Sequence, residues 1–243
     1  MTTEAHVEPT GPAIDGRAVI NRRSSLSDDV FDAVMALIMN GEIPPGERVS
    51  IDALARQLDV SPTPVREALA RLESDGLVVK RALQGYRTTP LLTISEVHEL
   101  FEMRHVLEPS AARLAAERAD NDEVATIQAE ADAPLSLVDG SHYDGYKALC
   151  QQDDRFHRCI AHASHNPMLA EAFGRMHAHL HLFRLYVPGA GTGPTRVEHH
   201  RIAEAIAARD GDRAAAAMAS HLDSSQRRLV DGLRAAGVAR KAR

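Results

Sequence analysis

Val60-Ser61-Pro62-Thr63-Pro64-Val65-Arg66-Glu67-Ala68-Leu69-Ala70-Arg71-Leu72-Glu73-Ser74-Asp75-Gly76 is the stretch that decides how this chain folds. Val65, Leu69 and Leu72 recur at helical spacing, with Arg66 and Arg71 off that stripe. Ser61 is a natural N-cap, Pro62 suits the first helical position, and Gly76 ends the run. A short helical pattern at 51–58, capped by Ser50, enters it through a tight polar connection. Two short helices joined by such a turn predict a helix-turn-helix, which lays its second helix in the major groove of DNA.

Upstream, Ser27-Asp28-Asp29 can cap a helix carrying Val30, Phe31, Val34, Leu37 and Ile38 on one face. Asn40-Gly41 stops it and Pro44-Pro45-Gly46 turns the chain. Downstream, residues 77–79 and 86–89 read as two short strands around Ala82-Leu83-Gln84-Gly85, a wing. The helix start that enters the groove carries Ser61, Thr63 and Arg66, with Arg71 further along; Lys80, Arg81, Gln84 and Gly85 sit at the wing. Arg66 can grip a guanine edge or a phosphate. Alternatively it pairs with Glu67 on a solvated helix face.

The chain has 243 residues and a net charge of −6, so any phosphate-binding footprint is a local patch rather than a global field. Aromatics are only 4% and tryptophan is absent, which leaves cores to Leu, Ile, Val, Ala and Met and favours helices. Two cysteines, Cys150 and Cys159, do not make a secreted disulfide framework. With no membrane-length apolar run and no apolar signal core at the start, a cytoplasmic protein without membrane contact is expected.

Residues 25–90 resemble the winged helix-turn-helix of the GntR family of bacterial transcription regulators. The resemblance rests on Pro44-Pro45-Gly46-Glu47-Arg48, on 51–58, on 60–69, on Leu72-Glu73-Ser74-Asp75-Gly76-Leu77 and on the wing glycine Gly85. It implies operator DNA as partner, touched by Arg66, the start of its helix and the wing tip. Pro62 departs from the arginine that many members use on DNA, which shifts readout toward Arg66, Thr63 and the wing.

After residue 93 the pattern changes to long helices, read at 94–119, 121–138 (kinked near Pro134), 144–164, 166–187, 195–209 and 212–235. The fold class is therefore mainly α: a leader at 1–24, a winged helix-turn-helix at 25–92, an all-helical antiparallel bundle at 93–235 and a mobile basic tail at 236–243. Twelve of the thirteen histidines lie in or beyond the bundle's first helix. Asp153 and His157 share one helix face with Leu149, Phe156 and Ile160. His199 lies with Ile202, Ala203 and Ile206, while His200 turns about 100° away. His221 lies with Ala214, Ala217, Met218 and Leu222. One carboxylate and three imidazoles from three core faces can surround one divalent cation, Zn²⁺ above all, with Ni²⁺, Mn²⁺ or Fe²⁺ possible. A lone inward histidine is otherwise a core residue bonded to a carbonyl. His177, His179 and His181 rank below that set, as pocket lining or outer support. His98, His105, His142, His162 and His165 read as surface or packing residues.

The second half resembles the FCD ligand-binding domain of the FadR subfamily. The resemblance is carried by Arg104-His105-Val106-Leu107-Glu108, Asp153 with Phe156-His157, Ser164-His165-Asn166-Pro167, Glu198-His199 and the late His221. Its metal-containing members use one Asp and three His, which fall on Asp153, His157, His199 and His221. Six helices rather than seven resemble its VanR-type branch. Arg104, on a face with Leu100, Phe101, Leu107 and Ala111, calls for a carboxylate: that of Glu108, or that of a small organic-acid effector. The expected function is a homodimeric, ligand-responsive repressor of transcription. The rival reading is a metal-dependent enzyme with an appended DNA-binding domain, for which no general base is placed like the Glu of a His-Glu-x-x-His helix.

Overall fold

The computed structural model describes residues 25–133, 143–185 and 193–235. The expected leader, the kink at Pro134, most of the 188–194 loop and the basic tail lie outside them.

The first helix, α1 (Leu26–Met39), starts earlier than Ser27-Asp28-Asp29 implied. Ser25 is its cap: Ser25 Oγ accepts from the Asp28 amide at 3.2 Å, and the Asp28 carboxylate accepts from the Ser25 amide at 3.1 Å. A box that satisfies two end donors at once outcompetes a single side-chain cap two residues later. Val30, Val34, Met35 and Ile38 face inward. Ser50 caps α2 (Ile51–Gln57) as expected, its hydroxyl accepting from the Ala53 amide at 3.2 Å. Ser61 sits at the cap of α3 (Pro62–Ser74) but its side chain makes no capping bond. Pro64, at the third helical position, removes one of the two amides such a bond would use, and Ser61 is exposed. On α3, Val65, Ala68, Leu69 and Leu72 are fully buried. Gly76 then takes φ +73°, the left-handed turn that lets the chain reverse into the wing.

The wing has three strands, not two: β1 (Arg48–Val49), β2 (Val78–Arg81) and β3 (Gly85–Thr88), in spatial order β1-β3-β2. β1 pairs Val49 with Tyr86, and β2 pairs Arg81 with Gly85, both antiparallel. A two-residue strand has no period to read, so it was invisible in the pattern.

Among the described residues the second half has seven helical segments where six were expected: α4 (Ile94–Arg118), α5 (Asn121–Asp132), α6 (Tyr143–Ala163), α7 (Pro167–Arg175), α8 (Ala178–Phe183), α9 (Gly193–Ala207) and α10 (Gly211–Ala235). The run expected at 166–187 breaks at His177, which adopts φ +45°. Ala133, next to Pro134, is extended (φ −54°, ψ 133°) and stops α5, as the clash of a proline ring with the preceding residue dictates. Alanines 111, 112, 115 and 116 on α4 let that helix lie close along α10. Phe101, Ile127, Phe156, Ile160, Ile202, Ile206, Met218 and Leu222 fill the core, each side chain of this size contributing about 1.5–3 kcal/mol by burial.

Candidate DNA-reading head and metal centre

The reading head is built by α3 and the wing. Ser61, Thr63 and Arg66 are exposed along the first turns of α3. Arg66 has no ion-pair partner among the described residues, and Glu67 instead receives the Ser27 hydroxyl. The expected alternative, an Arg66–Glu67 pair, is therefore absent from the described contacts. Lys80, Arg81, Gln84 and Gly85 are exposed on the wing. Arg71 stands apart from this set: its guanidinium binds Asp28 at 2.8 Å and lies 4.0 Å over the Phe31 ring, joining α3 to α1. Leu83, which the sequence gave no reason to single out, caps the wing turn fully exposed at φ +63°.

The second site lies in the bundle. His157 from α6, His199 from α9 and His221 from α10 are all at most 3% exposed. Nitrogens from the three rings come within 4.8 Å of one another. Ring centroids stand 4.9–5.4 Å apart, and Phe156 stacks on His199 at 4.0 Å. Asp153, one turn before His157 on α6, places Oδ1 3.5 Å from His199 Nε2 at the more open side of the cluster. The structure thus brings the three expected histidines together, with Asp153 beside His199 at the edge of the cluster.

Their surroundings are polar and charged. His221 Nδ1 lies 2.9 Å from Glu198 Oε2, which leaves Nε2 as its remaining nitrogen. Glu198 also receives both terminal nitrogens of Arg228, at 2.7 and 2.9 Å. Burial works to raise the Glu198 pKa, but the bonds from His221 and Arg228 prevail and hold it at about 2. His157 Nδ1 stands 2.7 Å from Glu108 Oε2, though not aligned for a hydrogen bond. Glu108 is gripped in turn by Arg104 through Nε at 2.5 Å and Nη2 at 3.3 Å. Burial opposes ionisation there too, yet the Arg104 and His157 charges keep the Glu108 carboxyl well below its usual range. Burial pushes the pKa of His199 far down, and the neighbouring His221, His157 and Arg104 charges add to it. His221 is also lowered by burial, against the pull of Glu198.

The donor set fits a divalent ion. Both ring nitrogens of His157 and Nε2 of His199 are buried without an aligned hydrogen-bond partner. Each such nitrogen costs about 1–3 kcal/mol unless something accepts its lone pair or proton. Three imidazoles with one carboxylate suit Zn²⁺ and its borderline neighbours.

Other histidines fall elsewhere. His177, His179 and His181 neither line this centre nor support it; they lie at the junction with the reading head. His179 Nδ1 is 2.9 Å from Asp154, His177 Nδ1 is 4.0 Å from Asp75, and His181 packs over Gly76. His105 and His165 pair with surface carboxylates of Asp223 and Glu123, and His98 meets Gln226, as their scatter implied. The Arg104–Glu108 pair was one of the two alternatives open in the sequence, but the approach of Glu108 to His157, and of Glu198 to His221 and Arg228, joins different helices, which no single-helix period can show.

That junction is substantial. Phe183 is 4% exposed within the hydrophobic core of the reading head, and Arg184 donates to Thr89 Oγ1 at 2.8 Å and to Thr89 O at 2.7 Å.

Comparison with known proteins adds the family. Residues 26–87 match the family described as bacterial regulatory proteins, gntR family, and residues 99–224 match the FCD domain. The chain is 31% identical over 208 residues to the HTH-type transcriptional regulator LutR of Bacillus subtilis, covering 76% of this chain and 93% of that one. It is 32% identical over 229 residues to a putative L-lactate dehydrogenase operon regulatory protein of Escherichia coli, covering 84% and 85%. A putative GntR transcriptional regulator from Rhodococcus sp. RHA1 has the same fold, with a TM-score of 0.64 at 22% identity over 84% of this chain and 97% of that one.

Proposed function

The chain belongs to the GntR family of bacterial DNA-binding transcription regulators, FadR subfamily, with an FCD domain behind its reading head, and on that premise we propose that it is a homodimeric repressor whose operator binding answers to a small organic acid at a divalent-metal centre. The clustering of His157, His199 and His221 inside the domain fused to the reading head, with Asp153 beside His199, is the observation that supports this reading.

Asp153, His157, His199 and His221 would hold the ion, most readily Zn²⁺, which would supply a Lewis-acid position for a carboxylate oxygen. Charge favours an anionic effector. The Arg104–Glu108 and Arg228–Glu198 pairs each cancel. Metal-bound imidazoles are neutral, so a dication with Asp153 leaves one uncompensated positive charge, which a single carboxylate would neutralise. Arg104 spends two of its five N–H groups on Glu108, and the remainder would take the effector's polar end. On DNA, Arg66 with Ser61 and Thr63 would enter the major groove of each half-site. Lys80, Arg81, Gln84 and Gly85 would follow the adjacent backbone, and Arg71 would serve mainly by holding α3 in place.

The hydrolase reading fares less well. Glu108 and Glu198, the carboxylates 2.7 and 2.9 Å from the rings of His157 and His221, are each occupied by an arginine, which suits orientation and not proton abstraction. The test is fluorescence-anisotropy titration of DNA from upstream of the protein's own gene, with zinc-loaded and chelated protein, across a panel of short organic acids. Operator binding that one class of acid releases from the zinc-loaded protein alone supports the proposal. Equal binding to scrambled DNA would refute the DNA half, and indifference to zinc and to every acid would refute the sensing half.

A further inference from the structure

The three imidazoles are not supported alike. Two have a carboxylate at Nδ1, and each of those carboxylates is backed by an arginine. On one side Arg104 and Glu108, one turn apart on α4, present Oε2 2.7 Å from His157 Nδ1. On the other, Arg228 of α10 clamps Glu198 of α9, whose Oε2 lies 2.9 Å from His221 Nδ1. His199 instead has a phenyl face: Phe156 stacks on it at 4.0 Å, with planes 15° apart. Two arginine–carboxylate–imidazole chains, drawn from different helices, therefore flank one cluster.

We propose that Glu108 and Glu198 are positioning residues of the metal centre, each locked by its arginine and each holding a histidine by Nδ1 so that Nε2 remains for the ion. The inference rests on the metal reading above and extends it to four residues outside the ligand set. A neutral imidazole carries its proton on either nitrogen, and a carboxylate at Nδ1 fixes the proton there, leaves the Nε2 lone pair free, and strengthens it as a donor. The arginine does the same for the carboxylate, since a bidentate guanidinium fixes its plane. His221 already has this arrangement, with an aligned bond to Glu198. His157 has the carboxylate at bonding distance but not yet aligned, so its ring settles against Glu108 when an ion draws Nε2. The plainer account is that each glutamate merely neutralises a buried arginine, with the histidine a bystander. The two accounts differ in what happens to metal affinity in a protein that stays folded.

The experiment is zinc affinity of the full chain, measured by competition with a chromophoric chelator, for wild type, Glu198→Gln and Glu108→Gln. Arg113→Ala, which breaks a surface pair with Asp212, serves as control. Loss of one outer partner is expected to weaken zinc about 10- to 100-fold, with the control within twofold. A second readout needs no metal: ¹⁵N shifts of the imidazoles in chelated protein report the Nδ1–H form at His221 in wild type and its loss in Glu198→Gln. If Glu198→Gln does not fold, Arg228→Lys keeps the charge, loses the bidentate grip, and is expected to weaken zinc in the same direction. Unchanged zinc affinity in folded variants, or the Nε2–H form at His221 in wild type, overturns this proposal and leaves the regulator intact. Failure of the wild-type chain to take up zinc or cobalt overturns the metal reading and this proposal together.

Discussion

Arg184→Ala tests whether the sensing half speaks to the reading head through α8. The guanidinium donates to Thr89 Oγ1 at 2.8 Å and to Thr89 O at 2.7 Å, and Thr89 itself receives its place from the sheet through its amide bond to Leu77 O at 2.9 Å. Burial lowers the Arg184 pKa, so this charge gives up water to make those contacts. Hydrogen bonds from a charged donor contribute about 1.5–3 kcal/mol each. Arg184 is only partly buried, so the low end applies and the two together stabilise the docked arrangement by about 2–4 kcal/mol. At about 1.4 kcal/mol per tenfold, docking should weaken roughly 30- to 1000-fold. Neither the metal cluster nor α3 is touched. Zinc affinity and affinity for non-specific DNA should therefore stay near wild type. Calorimetric unfolding should separate into two transitions, and the shift in operator affinity between zinc-loaded and chelated protein should shrink. One unfolding transition at an unchanged temperature, with the full zinc-dependent shift retained, would refute the reasoning.

The remaining predictions concern DNA, acid and packing. Arg66→Ala should weaken operator binding by about 1–3 kcal/mol, or roughly 10- to 100-fold, whereas Arg71→Ala should lower melting temperature slightly and leave the salt dependence of binding intact; anisotropy titrations at two salt concentrations separate them. In chelated protein His199 and His221 are held below the ordinary histidine value, the first far below. The unfolded chain therefore gains protons near pH 6.5 that the folded chain refuses. Stability should be level above about pH 6.5 and fall as pH drops below it; a urea midpoint equal at pH 7.5 and 5.5 would contradict this. Leu69→Ala removes a fully buried side chain from the reading head and should cost about 2–5 kcal/mol, read as loss of that domain's urea transition.

What the sequence could show depended on whether a feature repeats within one element. The α3 stripe of Val65, Leu69 and Leu72, the Ser50 cap and the inward face of His157 are local, and each appears where its spacing put it. Strand β1 is too short for a period and exists only because β3 offers Tyr86 and Arg87 as partners. Ser61 had the right chemistry for a cap, but its side chain makes no capping bond, and Pro64 lacks one of the two amides it could have used. Glu108 and Glu198 are ordinary helical acids by pattern; their meaning comes from which ring lies opposite, and helix packing decides that.

The break at His177 shows the limit most sharply, because the only local signal is Gly174 in the last turn of α7, which weakens the helix without fixing where it stops. Residues 175–178, Arg-Met-His-Ala, contain neither glycine nor proline, and a non-glycine residue in the left-handed region costs roughly 1–2 kcal/mol. Tertiary contacts must return that cost, and they do so on both sides of the break. Before it, Phe173 on α7 is buried with its ring 6.4 Å from that of His157. After it, Phe183 enters the core of the reading head and Arg184 reaches Thr89. A continuous helix from 167 to 185 would hold a fixed angle of about 100° per residue between Phe173 and Phe183 and so could not aim each at its own core. The strained histidine is what allows one short segment to touch the buried histidine cluster at one end and the DNA-binding domain at the other.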